Sequence, residues 1–568
     1  NIAIDICLPK DLPPETKLPA ILIMARYWRS FATRTPDQPG KAPMGPREPI
    51  ADFLVRHGYA VIQVDVRGTG ASFGTWEYVT SPTEMADMGE LAAWTAEQPW
   101  CNGSVGAVGI SYEGSTAELL AASGEKSVRA IIPQETEFDL YTDIVFPGGI
   151  ANEWFIKTWN RTNQQLDQNK VPKEWGWSAR LFVTGVRPVD DDTNKQQLRA
   201  ALADHKGNPD VFAAVQGITF RDDLFGETGV TLDDMSFFNH QVAAEESSVP
   251  IFSWGSWLDG NTANAVLHRF INLSNPQVAV IGAWSHNMKT HASPFNEPKA
   301  KPAPTQDGQW REVLSFFDHY LLDQVDERFN EKALYYYTLG AEKWQKTNVW
   351  PPKGTGAQRW YLGENGLLTP NAPTSETGMD SYKVDFEATT GTHNRWHTPD
   401  GVTPVIYKDR ARADRRLLTY TSEPLTTEVE ITGHPVVTLY LTSTATDGAF
   451  FVYLEQVDER GKVTYLTEGA LRGIHRKVST TLLYRIFGPY HSFKKEDAQP
   501  LIPGEVFELT FALIPTSVVI QKGQRLRVAI AGHDKDTFAR IPKTEVPTIN
   551  VQRNSRYASY IDLPIIEK

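Results

Sequence analysis

Cysteine is nearly absent: Cys7 and Cys101 are the only two in 568 residues. That excludes a disulfide framework and a cysteine metal site of the C-x-x-C kind, and leaves open a single bridge between the two. Long hydrophobic runs are missing as well. The best, "LPAILIMARYW" from Leu18 to Trp28, falls short of the ~18–20 apolar residues of a spanning helix, so a soluble protein without membrane association is expected. Basic patches are lacking too. The formal net charge is −13, spread along the chain without a run of like charges, which argues against a nucleic-acid partner. With 41% hydrophobic and 22% charged residues the usage is that of an ordinary globular protein, and no stretch is biased enough to form a disordered tail. The chain opens on Asn1 rather than methionine, which is compatible with removal of a secretory leader; the compartment stays open, with the cytoplasm favoured.

A length of 568 residues exceeds what one hydrophobic core sustains, and roughly 100–200 residues per domain gives two to four domains. In residues 1–140 short apolar runs ("AILIMARY", "YAVIQVDVRG", "SVGAVGIS", "VRAIIPQ") alternate with helical patterns ("ADFLVRHG", "EMADMGELAAWTAEQ", "STAELLAASG"). Strands without polar alternation, separated by amphipathic helices, predict a parallel sheet covered on both faces, an α/β fold. From 141 to 245 this rhythm stops, Trp, Asn, Gln and Asp become frequent, and a mainly helical insertion is expected. The buried-strand pattern returns at "VPIFSWGSWLD" and "QVAVIGAWSH", followed by a helix over "GQWREVLSFFDHYLL", so that 246–328 completes the domain begun by 1–140. From 329 to 568, period-two alternation with Gly, Pro and Asp turns, as in "EVEITGHPVVTLYLTSTA", predicts an antiparallel β-sandwich of jelly-roll character.

Within this frame "VGISYEG", residues 108–114, places Ser111 where an apolar strand meets a helical run. In a parallel α/β sheet that is the position of a nucleophile elbow. A strained turn exposes the hydroxyl, and the N-terminus of the next helix offers N–H groups to a developing oxyanion. The match to G-x-S-x-G is imperfect, since Glu113 stands two after the serine and the second glycine falls at Gly114. Alone, such a serine is weak evidence, and a turn or cap residue is the favoured reading. A serine hydroxyl attacks a carbonyl only with a histidine to take its proton and a carboxylate to orient that histidine. Asp259 closes "VPIFSWGSWLDG" and His286 closes "VAVIGAWSHN", each after an apolar strand and in the order Ser, Asp, His of α/β-hydrolases. With 13 histidines in the chain and few of them after such a strand, a catalytic triad is preferred over a helix cap and a loop histidine. This chemistry needs no cofactor or metal. Asp190, Asp191 and Asp192 lack the glycine and spaced glutamate of a calcium loop. "DVRGTGASFG" (65–74) lacks the Gly-Lys-Ser/Thr of a phosphate loop and has Phe73 where a dinucleotide fingerprint needs glycine.

Together these residues resemble the α/β-hydrolase family of cocaine esterase, the α-amino-acid ester hydrolases, glutaryl acylases and X-prolyl dipeptidyl aminopeptidases. The resemblance rests on "DVRGTGASFG", on Ser111-Tyr112 with Gly114, on "GSWLDG" and "IGAWSH", and on the C-terminal sandwich, and it covers nearly the whole chain. It implies that the 141–245 insertion is a cap over the site. It also implies an oxyanion hole formed by the backbone N–H of Tyr112 and the hydroxyl of Tyr27, a phenol that stays a neutral donor near pH 7. Trp254, Trp257 and Trp284, beside Asp259 and His286, and Trp154, Trp159, Trp175 and Trp177 of the cap are candidates to line the substrate pocket, with core packing the competing role.

The expected activity is a cofactor-independent serine hydrolase that cleaves small-molecule carboxylic esters, or related amides, through an acyl-enzyme. Glu113 in "SYEG" is closer to the α-amino-acid ester hydrolases. The acidic pair that follows the triad aspartate in that branch is replaced here by Gly260, Asn261 and Thr262, and Asp139 and Asp143 align with its other acidic member only loosely. The large N-terminal helical domain of X-prolyl peptidases has no counterpart in this sequence. Esterase activity is therefore ranked ahead of amino-acid ester hydrolysis or acyl transfer, acylase and X-prolyl peptidase activity. A non-catalytic protein that binds through its β-sandwich is the alternative of another class. Homo-oligomerisation is left open.

Overall fold

The computed structural model describes residues 1–34, 49–298 and 300–567. The apolar runs become strands of one nine-stranded sheet: β1 (Ile4–Cys7), β2 (Leu18–Ala25), β3 (Ala60–Asp65), β4 (Cys101–Ile110), β5 (Val128–Gln134), β6 (Ile251–Ser256), β7 (Gln277–Gly282), β8 (Ala333–Thr338) and β9 (Lys343–Thr347). Their order in space is β1-β3-β2-β4-β5-β6-β7-β8-β9. Every pairing between β3 and β8 is parallel, and the edge strands β1 and β9 run antiparallel to their neighbours.

Strands β2, β3, β6 and β7 are buried at every position because helices cover both faces of the sheet. The main helices are α1 (Pro49–Arg56), α2 (Pro82–Ala96), α3 (Tyr112–Ala122), α4 (Glu153–Asp167), α5 (Thr262–Asn272) and α6 (Gln306–Leu321). On one face α1 and α6 pack Leu54, Val313, Phe316 and Phe317 with Ile21, Val61 and Val108. On the other, α2 and α3 pack Met88, Ala92, Leu119 and Leu120 with Leu22, Ile62 and Ala107. Each such fully buried Leu or Phe contributes on the order of 1.5–3 kcal/mol. The start of α2 follows local rules: Ser81 caps it by accepting from Glu84 N at 3.1 Å, and Pro82 occupies the first turn, where a missing N–H costs nothing.

Between β5 and β6 the chain forms α4 and several shorter helices. It also contributes a strand, Val183–Val186, that pairs antiparallel with Phe31–Thr33 and ties the insertion to the loop after β2. Beyond β9, strands from Thr355 to Ile566 form a thirteen-stranded network in which, among the described residues, only Leu367–Thr369 with Leu418–Ser422 is a parallel strand pairing. This is the expected β-sandwich. Strand β8 pairs with β7 and β9 with β8, so residues 333–347 are hydrogen-bonded to the hydrolase sheet. Leu339, just past β8, exchanges backbone bonds with Ser517 (2.8 Å) and Val519 (2.9 Å), which joins the two parts.

Cys7 and Cys101 are both buried and form no bridge. Among the described residues no helix is long and apolar enough to cross a membrane.

Candidate active site

Ser111 lies between β4 and α3 with φ 63° and ψ −127°, a backbone that a non-glycine residue adopts only where its surroundings enforce it. Its N–H donates to Gln134 O on β5 at 2.8 Å, and its carbonyl accepts from Ser115 N at 3.0 Å. The corner is crowded. A Cβ on Gly109 would sit 2.2 Å from Glu113 Cβ, and one on Gly114 would sit 3.0 Å from the carbonyl oxygens of Gln134 and Gly109. Gly109 thus makes room for Glu113, and Gly114 lets α3 approach β5, which accounts for a second glycine one place later than in G-x-S-x-G. Tyr112 opens α3, so its N–H belongs to the first-turn amides that lack intrahelical acceptors. Its phenol points away, donating to Glu84 and accepting from Trp76 Nε1 at 2.8 Å.

Asp259 follows β6 and His286 follows β7, and the structure brings their side chains together with His286 Nδ1 2.7 Å from Asp259 Oδ2. The two loops are laced by Ser256 Oγ, which donates to Trp284 O at 2.6 Å and accepts from Trp284 N at 3.1 Å. The other ring nitrogen, His286 Nε2, has no hydrogen-bond partner among the described residues. Ser111 and His286 line one cavity of about 300 Å³ with Tyr27, Glu113, Trp159 and Asp400. A narrower, mainly apolar chamber of about 80 Å³ adjoins Ser111 and Tyr27 and is walled by Trp76, Ile144, Phe155 and Leu232, with Glu137 at its edge.

Burial holds His286 below the ordinary 6.5, with the nearby carboxyl groups of Glu135, Glu137 and Asp400 acting the other way, so the imidazole is neutral at pH 7 and able to accept a proton. Burial pushes the Asp259 carboxyl upward, and a hydrogen bond from Glu135 acts the other way and favours its charged form. The Tyr27 hydroxyl accepts from Trp159 Nε1 at 3.0 Å, and burial pushes its pKa up to about 12, so the phenol keeps its proton for donation.

The tryptophans divide. Trp159 and Trp175 line the larger cavity. Trp254, Trp257 and Trp284 are core residues with 2% or less of their surface exposed, which corrects the expectation that they line the pocket. Trp254 and Trp284 stack on each other at 5.9 Å, and Trp257 Nε1 donates to Tyr337 O at 2.6 Å. They pack inward because they belong to strand ends covered by α6 and the sandwich, where a large ring fills the interlayer space. Trp154 stacks on His397 at 3.7 Å rather than against the cavity, and Trp177 is 78% exposed. Asp139 and Asp143 are engaged inside the protein: Asp139 pairs with Arg221 at 2.6 Å, and Asp143 accepts from the N–H groups of Phe138 and Asp139.

Several contributors carried no sequence signal. Arg395, fully buried and some 136 positions from Asp259 in the chain, donates through Nε to Gly260 O at 2.8 Å and through a second nitrogen to Trp257 O, bracing the loop that holds Asp259. Thr398 Oγ1 accepts from His286 N at 3.0 Å, and Val405 N donates to Ser285 Oγ at 3.0 Å. The segment 394–405, which follows the first strands of the sandwich, is therefore part of the site's frame. Beneath it Arg269 of α5 makes a two-pronged bond to Glu118 of α3 and reaches the carbonyls of Thr136 and Glu137. Both side chains are 1% exposed, and burial pushes the Glu118 carboxyl up to about 7 against the charge of Arg269. Removing one member strands a buried charge, so Arg269→Met is expected to cost about 3–5 kcal/mol in urea unfolding, whereas Arg269→Met combined with Glu118→Leu restores most of it. A single variant as stable as the parent would refute this.

The strand order and the layering make the protein an α/β-hydrolase, and its activity is that of a serine hydrolase. Within that class the chain belongs to the S15 family: residues 1–288 match the family described as X-Pro dipeptidyl-peptidase (S15 family), and residues 328–562 match the X-Pro dipeptidyl-peptidase C-terminal non-catalytic domain. It is 41% identical over its full length to a Mycobacterium bovis protein named "Putative serine esterase", of which 94% is covered. It is 26% identical to cocaine esterase of a Rhodococcus species, over 91% of this chain and 89% of that one. In fold it is similar to a CocE/NonD family hydrolase from Staphylococcus aureus, with a TM-score of 0.71, 18% identity, and coverage of 100% of this chain and 91% of the other.

Proposed function

We propose that the protein hydrolyses small carboxylic esters through an acyl-enzyme on Ser111. His286 Nε2 takes the proton of Ser111 as the hydroxyl attacks the acyl carbon and returns it to the leaving alcohol, and a water then repeats the cycle. Asp259 holds the imidazole with its proton on Nδ1 and stabilises the imidazolium that forms. The Tyr27 hydroxyl and the Tyr112 N–H donate to the tetrahedral oxyanion. The observation that carries this reading is that the histidine bonded to Asp259 leaves Nε2 without a partner in the cavity that also holds Ser111. Of the two chambers that meet at Ser111, the apolar one of about 80 Å³ suits a compact apolar acyl group, and the larger one suits the leaving alcohol.

A fluorophosphonate that reacts with activated serines tests the assignment, with an adduct on Ser111 expected and none expected on Ser111→Ala; a folded protein that takes no label would favour the non-catalytic alternative. Tyr27→Phe is expected to lower kcat roughly 10²–10³-fold with little change in KM, because the donor is needed most in the transition state. Unchanged kcat would remove Tyr27 from the oxyanion hole. One observation supports a second reading: Glu113 lines the larger cavity and Glu137 the smaller, both of which Tyr27 also lines, and carboxylates so placed suit a substrate ammonium. A panel of acyl esters, α-amino esters and X-Pro anilides scored by kcat/KM separates the two.

A further inference from the structure

Glu135 stands one residue past the end of β5, where the chain leaves the strand with φ 48° and the side chain is wholly buried. Its N–H donates to Trp254 O at 2.8 Å. One carboxyl oxygen accepts from Thr262 Oγ1 at 2.7 Å and the other from Trp284 Nε1. The same Thr262 hydroxyl lies 3.0 Å from the backbone carbonyl of Asp259. Both donors are neutral. Asp259 gives Oδ2 to His286, yet its buried Oδ1 receives no N–H or hydroxyl donor among the described residues. The group hydrogen-bonded to the Asp259 carboxyl is Glu135. Two carboxylates in contact and out of water do not both ionise; they share one proton, and that proton is what turns the contact into a bond.

We propose that Glu135 is held as the neutral acid and donates its proton to Asp259 Oδ1, which makes it a positioning residue that extends Ser111, His286 and Asp259 to a fourth member. The bond fixes the Asp259 rotamer so that Oδ2 faces the imidazole, and it disperses part of the aspartate charge. Glu135 keeps its proton throughout the cycle and transfers nothing. Burial raises Glu135 far above its ordinary 4.5, followed by the charge of Asp259, in keeping with a neutral acid. The other charged groups facing this cluster are Arg395 and Glu137 on the Asp259 side, and Glu137 and Asp400 on the His286 side. The proposal rests on the reading of Ser111, Asp259 and His286 given above.

The test compares Glu135→Gln with Glu135→Leu by the pH profile of kcat/KM on an ester, with rates normalised to the fraction of Ser111 that takes a fluorophosphonate. Gln retains a neutral donor and an acceptor for Trp284. It is expected to lower kcat by only about 3-fold and to leave the acid limb within a few tenths of a pH unit, as a neutral-for-neutral exchange should. Leu removes the donor, and kcat is expected to fall roughly 10- to 100-fold, the range met when a hydrogen-bond partner one step removed from the reacting groups is lost. Its acid limb is expected to move up, because the undispersed charge of Asp259 raises the basicity of His286. A limb that falls by about one unit in Glu135→Gln would show that the wild-type carboxyl is ionised, and would overturn the proposal. A Leu variant that keeps the wild-type limb, slow or not, would mean that Glu135 only packs, and would overturn it too. Should the Leu variant fail to fold, the Gln profile decides alone. Failure of wild-type Ser111 to take the label would instead sink the reading beneath the proposal.

Discussion

Ser111→Ala is expected to lower kcat on p-nitrophenyl esters by a factor on the order of 10⁴ or more, and His286→Ala by a comparable factor. The two losses should not add. Once the nucleophile is gone the base has nothing to deprotonate, so the double variant is expected to be no slower than the slower single one, with the residual rate coming from binding and oxyanion donors. The fold should survive, because the corner at Ser111 is held by backbone bonds to Gln134 and Ser115 and by the room at Gly109 and Gly114 rather than by the hydroxyl. A Ser111→Ala variant that keeps most of the wild-type kcat would end the acyl-enzyme scheme. The active form of His286 is neutral, and burial lowers its pKa. The acid limb of the wild-type kcat/KM profile is therefore expected below 6.5, with activity present above that limb and lost as pH falls through it.

Asp259→Asn is the second large effect, with kcat expected to fall about 10⁴-fold at nearly constant geometry. The aspartate accepts the Nδ1 proton at 2.7 Å. An amide in its place can turn its NH₂ toward Nδ1, which forces the imidazole proton onto Nε2, and a protonated Nε2 cannot take the proton of Ser111. The change also removes the negative charge that stabilises the imidazolium. KM is expected to change little, since Asp259 is buried behind His286 and does not line the cavity. If the variant retains more than a tenth of the wild-type kcat, Asp259 is not the orienting carboxylate.

Legibility in the sequence follows from how local each signal is. Ser111, Asp259 and His286 each close a buried strand, so the apolar run that ends at each of them marks its place. The tryptophans at 254, 257 and 284 carried a false signal, because proximity in the chain to Asp259 and His286 does not say which side of the sheet a ring faces, and all three face the core. Glu135 is one letter after "VRAIIPQ", where nothing separates a loop carboxylate from a buried one. Only its contacts with Thr262, Trp284 and Asp259 do so. Arg395 and Thr398 come from a segment more than a hundred residues beyond the groups they hold, a distance over which no spacing rule operates.

By itself the sequence determined the parallel sheet, the insertion within it, the later β-sandwich, and the three residues proposed for the chemistry, because strand burial and helix amphipathicity are written in neighbouring letters. Only the tertiary structure decided that β8 and β9 extend the hydrolase sheet, that segment 394–405 braces the loops of Asp259 and His286, and that a buried glutamate meets the aspartate. These depend on which surfaces meet when the layers close, and on the removal of water that leaves a buried polar group to find its partner within the protein.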